Sequence, residues 1–157
     1  MIPEFSILPR PQGTVADILE AKGSLVHSIG PNETVFDAVV RMHEHEIGAL
    51  VVMEGPTLVG IISERDYTRK VAIQGRSSRD TCVHEIMTAE LFTVTPATSL
   101  AECMHVVSRH AVRHLPVLDG GCLVGIISIG DLVSALLAHQ AETIDRLRSF
   151  VGSSYPS

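Results

Sequence analysis

Hydrophobic and polar positions along the first part of the chain follow a pattern that predicts alternating short helices and strands. A short helix is expected to begin at Thr14, whose hydroxyl can cap it while Asp17 reciprocates three residues later. A strand follows over about 25–29. Thr34 and Asp37 form a second capping pair, which predicts another helix. One face of that helix collects apolar residues at helical spacing, namely Val35, Ala38, Val39 and Met42.

Two β-rich runs come next, over 49–53 and 58–62. The turn Glu54-Gly55-Pro56 between them predicts a hairpin. Ser63 then opens a further helix over about 64–74, which Gly75 terminates.

The second half repeats this order of elements. A short helix over 83–87, a strand over 91–94 and a capped helix over 99–110 are followed by a hairpin with strands over 115–118 and 122–127. A final helix begins after Ser128 and extends as far as Phe150. Its apolar residues recur at near-helical spacing, at Val133, Leu137, Ile144 and Leu147. This tail either packs on its own module or docks on a partner.

An internal repeat explains the recurring order. The segment GIISERD at 60–66 recurs 65 residues later as GIISIGD at 125–131. The same offset pairs Pro31 with Pro96 and His45 with His110 without a gap. A match maintained over most of both halves indicates two copies of one unit. Because a unit of about 60 residues is marginal alone, the pair is expected to fold together.

Composition narrows the possible functions. The 157 residues are 45% hydrophobic and 19% charged, which is typical of a globular domain. A net charge of −6 argues against a general nucleic-acid partner, which needs a basic face. We expect a cytoplasmic protein without a membrane span, for three reasons. The three cysteines are widely spaced, the N-terminus shows no signal pattern, and every apolar run is short.

The two repeated segments are strand-to-helix turns that could carry chemistry. Ser63 with Asp66, and Ser128 with Asp131, stand at positions that form capping boxes, so capping alone can explain them. Capping does not explain the glycine at the start of each segment. A helix N-terminus also offers free N–H groups to an anion. A carboxylate one turn into the helix can accept two hydrogen bonds from a ribose diol.

Several stretches of the sequence resemble the signatures of one family, at 47–52, 60–66, 85–88, 113–117 and 125–131. Over about 14–150 the chain resembles bacterial stand-alone proteins made of a pair of cystathionine-β-synthase (CBS) domains. The resemblance implies an α/β (α+β) fold of two β-α-β-β-α repeats packed about a pseudo-twofold axis, known as a Bateman module. It also implies a disc-shaped homodimer and clefts that bind AMP, ATP, NAD or a similar adenosine ligand. AMP is the ligand we expect first.

The resemblance assigns candidate binding residues. The ribose contacts would be Ser63 and Asp66 in one cleft, and Ser128 and Asp131 in the other. The residues expected to line the base pockets are Gly48, Ala49, His114 and Pro116, with Val26 and Thr93 opposite. Arginine suits phosphate because it is a planar, permanent cation. The phosphate candidates are therefore Arg65 and Arg113, followed by the weaker candidates Arg69, Lys70 and Lys22.

The resemblance and the linker composition also divide the chain. We expect an N-terminal arm at 1–13, the first repeat at 14–75, a linker at 76–82, the second repeat at 83–137, and a C-terminal helix and tail at 138–157. A homodimer is expected to use the apolar helix faces, represented by Val35, Val39 and Met42 in one repeat and by Val106 and Val107 in the other.

Two other function classes remain open. The chain could be a protein–protein interaction or structural module that binds no physiological nucleotide. It could also be an enzyme, but no activated nucleophile, base or metal set is readable, so no catalytic residue and no required cofactor is predicted. A bound metal is not expected either, because His43 and His45 point to different faces of one helix, and the helix should end between His110 and His114.

Overall fold

The computed structural model describes residues 13–154, and it divides into two compact units. We call them the sheet unit, residues 24–93 and 115–126, and the helical unit, whose described residues are 13–23, 94–114 and 127–154. Each unit draws segments from both halves of the chain. Most of the predicted N-terminal arm, residues 1–12, lies outside the described residues.

The sheet unit is built on a three-stranded sheet with the order β1-β2-β3. Its strands are β1 (Ser28–Ile29), β2 (Ala49–Glu54) and β3 (Thr57–Ser63). β1 runs parallel to β2, with Ser28 beside Val51, and β2 pairs with β3 as an antiparallel hairpin. Gly55 has a φ of 58°, which suits the tight turn between them. The predicted hairpin is thus confirmed.

Three helices belong to the same unit: α2 (Val35–Glu44), α3 (Glu64–Tyr67) and α4 (Val83–Ile86). The Thr34 hydroxyl oxygen accepts a hydrogen bond from the Asp37 N–H at 3.1 Å, as the capping pair predicted. The apolar face of α2 packs onto the sheet, and the core includes Val35, Ala38, Met42, Leu50, Val52 and Ile62.

This packing corrects the predicted dimer face on α2. Val35 and Met42 are buried in the core of their own unit at 0% and 1% exposure, so they offer no surface to a second copy. Val39 is partly buried against the same core. The large apolar side chain that α2 exposes is Val40.

The helical unit contains α1 (Val15–Lys22), α5 (Leu100–His110) and α6 (Ile129–Ser154). α1 begins as predicted, with the Thr14 N–H donating to Asp17 Oδ2 at 2.9 Å. The Ser99 hydroxyl oxygen accepts a hydrogen bond from the Glu102 N–H at the start of α5. The buried apolar residues of this unit include Val15, Leu100, Cys103 and Leu132. Burial raises the pKa of the Cys103 thiol to about 11.

A second hairpin joins β4 (His114–Asp119) to β5 (Cys122–Ser128) through Gly120 and Gly121, which both have positive φ. It matches the predicted position. Together with the first hairpin and the capped helices, it confirms a mixed α/β fold with two repeats.

Three predicted elements differ in the structure. The strand expected over 25–29 is limited to Ser28–Ile29, since Leu25 is 78% exposed. The segment 91–94 forms no strand, since among its residues only Val94 makes a single β-bridge. The helix expected over 64–74 changes to a π-helical turn over Thr68–Ala72, where the Ile73 N–H bonds to the Thr68 carbonyl oxygen.

No helix in the described part of the chain combines the length and the apolar character needed to cross a membrane.

Candidate functional site

The first repeated turn joins β3 to α3 in the sheet unit. The backbone N–H of Ser63 donates to Asp66 Oδ2 at 2.9 Å, and the Ser63 hydroxyl donates to the same oxygen at 3.0 Å. In return the Asp66 N–H donates to Ser63 Oγ at 3.2 Å. This reciprocal pair is a capping box. Ser63 and Asp66 therefore do cap α3, as the sequence allowed. Any ligand at this turn must share Asp66 and Ser63 oxygens that already accept hydrogen bonds within the protein.

Two further candidates lie beside this turn. The Glu64 N–H donates to the Gly48 carbonyl oxygen at 3.0 Å, and Ala49 is the register partner of Ser63. Val26 lies before β1, in the segment where the His27 carbonyl oxygen accepts a hydrogen bond from the Val51 N–H at 3.3 Å. The structure thus brings Gly48 and Ala49 to the first turn.

Cationic side chains follow the first turn along the chain. Lys70 Nζ lies 3.1 Å from Asp66 Oδ1, and it also donates to the Ile86 carbonyl oxygen at 2.8 Å. Arg65 and Arg69 are exposed residues of the same segment. The helix start at Ser63 is therefore followed by three positive charges within two turns.

Gly60 has a structural explanation that sequence reasoning missed. A Cβ added there would lie 2.6 Å from Met87 Sδ and 3.1 Å from the Thr88 carbonyl oxygen. The backbones of Ile61 and Thr88 exchange two hydrogen bonds, at 2.8 and 3.0 Å, which keeps this segment against β3. The glycine serves close backbone packing, so it does not by itself indicate a ligand.

The second repeated turn joins β5 to α6. The Ser128 N–H donates to Asp131 Oδ2 at 2.8 Å, and the Asp131 N–H donates to Ser128 Oγ at 3.1 Å. The Ile129 N–H donates to the Arg113 carbonyl oxygen at 3.0 Å, which repeats the Glu64–Gly48 contact of the first turn. His114 follows Arg113 as the first residue of β4.

Asp131 forms an ion pair that the sequence did not indicate. Lys22 Nζ, at the end of α1, lies 2.7 Å from Asp131 Oδ2. Burial acts to raise the pKa of Asp131, but the hydrogen bonds from Lys22 and Ser128 and the charge of Lys22 outweigh it and lower the pKa. Lys22 was predicted as a weak phosphate candidate, yet in the structure its ammonium group binds the carboxylate expected to hold ribose.

A groove of about 440 Å³ extends from this ion pair between α1 and α6. Its apolar lining consists of Ile18, Ala21, Leu100, Ala135 and Ala138, and its polar lining includes Asp17, Lys22, Asp131, Ser134, His139 and Glu142. Sequence reasoning did not single out His139 or Glu142. Residues 135, 138, 139 and 142 are spaced as on one helix face, and this spacing could have indicated that they line a common surface.

Two base-pocket candidates lie elsewhere in the sheet unit. Thr93 lines a separate cavity of about 380 Å³ with Pro56, Thr57 and Leu58, at the end of β3 opposite to Ser63. Pro116 is a buried residue of β4. The structure does not bring Thr93 to the Ser63–Asp66 turn.

The histidines form no recognisable metal centre. The rings of His27 and His45 stack with centroids 3.8 Å apart. Within residues 13–154, no three His, Cys, Asp or Glu side chains are arranged to hold a metal ion.

Comparison with known proteins identifies what these repeats resemble. The family model described as "CBS domain" matches residues 15–73 and 83–138, so most of α6 lies beyond the match. A solved protein with CBS domains from Burkholderia ambifaria is 51% identical, with a TM-score of 0.79 over 82% of this chain and 96% of that chain. The mitochondrial CBS domain-containing protein CBSX3 of Arabidopsis thaliana is 40% identical over 90% of this chain and 73% of its own length. A hexameric CBS-CP12 protein from bloom-forming cyanobacteria is 29% identical, with a TM-score of 0.71 over 78% of this chain and 67% of that chain.

Proposed function

Because this chain belongs to the CBS-domain family, we propose that it is a regulatory module that binds adenine nucleotides at its two Ser–Asp turns. AMP is the ligand that fits the proposal best, while ATP and NAD share its adenosine part. The module is proposed to sense the nucleotide in the cytoplasm without chemically converting it. CBS pairs are regulatory modules. The more specific part of the proposal is therefore that the ligand is an adenine nucleotide.

One observation carries the proposal, namely that the chain builds the same turn twice with the same internal geometry. The Ser N–H to Asp Oδ2 distances are 2.9 and 2.8 Å. In each turn the N–H of the residue after the serine donates to the carbonyl oxygen of the residue just before a strand, Gly48 before β2 and Arg113 before β4. Two helices therefore begin with a carboxylate that is held in position by the same pair of backbone hydrogen bonds.

The charges near the first turn favour a phosphorylated ligand. Asp66 offers acceptor oxygens to a ribose diol, while Arg65, Arg69 and Lys70 offer donors to a phosphate on the same ligand. Each carboxylate oxygen has two acceptor sites. Ser63 occupies both sites of Asp66 Oδ2 and Lys70 occupies one site of Oδ1, so Asp66 can accept one ribose hydroxyl at Oδ1 while it caps α3.

Thermal unfolding in the presence of nucleotides tests the proposal. A ligand at one hundred times its dissociation constant stabilises the native state by about 2.7 kcal/mol. For a chain of this size that amounts to an increase in Tm of roughly 5–10 °C. AMP should produce this shift, and GMP at the same concentration should produce a much smaller one.

Other outcomes would support a different function. If neither AMP nor any other purine nucleotide raises the Tm, the chain is better described as an interaction module whose turns only cap helices. If AMP binds and is converted to products, the non-catalytic reading is wrong.

The proposal includes a homodimer. The cyanobacterial relative is hexameric by its description, and the chain exposes apolar side chains on its helices. Val40 on α2 and Met104 on α5 are 36% and 37% exposed. Light scattering that gave a monomer mass at all concentrations would contradict this part.

A further inference from the structure

The C-terminal helix α6 continues well past the part of it that packs on its own unit. Its last residue lining the groove is Glu142, and from Ile144 to Val151 every side chain is exposed. An isolated helix of this length is marginal in water, since most helical stability in proteins comes from packing an apolar face. The exposed end of α6 therefore lacks the packing that such a helix needs.

An apolar stripe runs along the exposed side of α6. Its members are Val133, Leu137, Ile144, Leu147 and Val151, which are 47–59% exposed. Together with Gln140 they follow one another at intervals of four, three, four, three and four residues. This is the a/d spacing of a coiled coil, with Gln140 as one polar member of the seam. The groove-lining residues of α6 lie on another face.

The area of the stripe suits association with a second copy of this chain. A fully exposed apolar side chain presents roughly 100–200 Å², so five that are half exposed present on the order of 350 Å². Two copies give about 700 Å² of apolar area, which at the roughly 65% apolar character of homodimer interfaces corresponds to about 1,100 Å² in total. A specific interface should exceed about 1,000 Å², so the stripe just meets that requirement.

The pattern is also self-complementary. When two copies of α6 lie antiparallel, Leu137 of one faces Leu147 of the other, and Val133 faces Val151. Beside the stripe, Ser134, Leu136, Ala141 and Thr143 are uncharged and Arg148 is charged. In the antiparallel arrangement Arg148 of one copy lies near Ser134 of the other, so like charges do not meet there.

We infer that the α6 stripe is a self-association surface, on which two copies of this chain pair as a two-stranded coiled coil. The inference goes beyond nucleotide binding and does not depend on it. Its partner is a second copy of this chain. Gln140 weakens the seam and restricts how the two helices align.

Sedimentation equilibrium of the full-length chain tests this inference. The triple variant Leu137→Glu, Ile144→Glu and Leu147→Glu adds three negative charges to the stripe. Its dissociation constant should rise at least about 100-fold, so that its mass is half that of the parent at equal concentration. The matched control is Arg146→Glu with Ser149→Glu, which adds the same charge at exposed positions outside the stripe. The control should keep the parent's mass.

A second variant keeps the test decisive if the triple variant folds poorly. Gln140→Leu replaces the polar seam residue, so the parent's dissociation constant should fall at least about tenfold. The same mass for parent and triple variant would overturn the inference. A dissociation constant that is unchanged or higher in Gln140→Leu would also overturn the inference. The stripe would then be a contact surface for a different protein.

Discussion

The two Ser–Asp turns share two internal hydrogen bonds, from the Ser N–H to Asp Oδ2 and from the Asp N–H to Ser Oγ, but they have different surroundings. Asp66 is 14% exposed and pairs with Lys70, one turn further along the same helical segment. Asp131 is 24% exposed and pairs with Lys22, which is 109 residues away in sequence. The first turn adjoins the tightly packed Gly60–Thr88 contact, whereas the second opens onto the groove between α1 and α6. Repetition thus preserves the capping geometry, and the fold decides which charge each carboxylate meets.

The largest effect is expected from filling the close contact behind the first turn. In Gly60→Ala the new methyl group would collide with Met87 Sδ and the Thr88 carbonyl oxygen. Overpacking of this kind costs about 1–3 kcal/mol of unfolding free energy. Gly48→Ala is the matched control, because its Cβ would meet no atom within 4 Å. Urea unfolding should show a clear loss for Gly60→Ala only, and equal losses would refute the packing explanation.

A smaller difference in the free energy of unfolding is expected between variants of the two lysines that pair with the turns. Lys70→Met removes an ion pair and a hydrogen bond to the Ile86 carbonyl oxygen, which together are worth about 1 kcal/mol at a partly exposed position. Lys22→Met removes an ion pair worth about 0.2–1 kcal/mol. Chemical denaturation should therefore rank Lys70→Met as the less stable variant. The reverse order would mean that the long-range pair contributes more than the local one.

The smallest effect is the pH dependence of the second turn. The pKa of Asp131 is lowered in the folded chain, so as the pH falls below its ordinary value of 3.8 the unfolded state takes up the proton first. The free energy of unfolding contributed by this carboxylate is complete well above pH 3.8 and is lost as the pH falls through the folded pKa. The stability advantage of the parent over Asp131→Asn should thus shrink between pH 6 and pH 3. An advantage that stayed constant would show that ionisation does not matter there.

The sequence was most informative where structure follows local rules. The helix starts at Thr14, Thr34, Ser63 and Ser99 were predictable, because a cap depends on residues three positions apart. Both hairpins were predictable from turn glycines between β-rich runs. The Asp66–Lys70 pair also lies within reach of such rules, since residues four apart share a helix face.

Features that depend on tertiary structure were not predictable. The pairing of Lys22 with Asp131 requires α1 and α6 to meet, which no local pattern encodes. The segment 91–94 has the composition of a strand but forms only a single β-bridge, at Val94, and a strand without a continuous ladder is not formed. The faces of α2 were misassigned for a similar reason. Helical spacing identifies an apolar face but does not say whether it covers the chain's own core or a partner.

Calorimetric titration with AMP tests the central claim most directly. The parent should bind AMP saturably, and Asp66→Asn combined with Asp131→Asn should weaken binding at least about tenfold, because an amide accepts fewer hydrogen bonds from a ribose diol than a carboxylate does. The amide can still cap a helix. The Tm of the unliganded double variant should therefore fall only by the contribution of the lost Lys70 and Lys22 ion pairs. Equal binding by parent and double variant, or no binding of AMP by the parent, would contradict the assignment of the two turns as nucleotide sites.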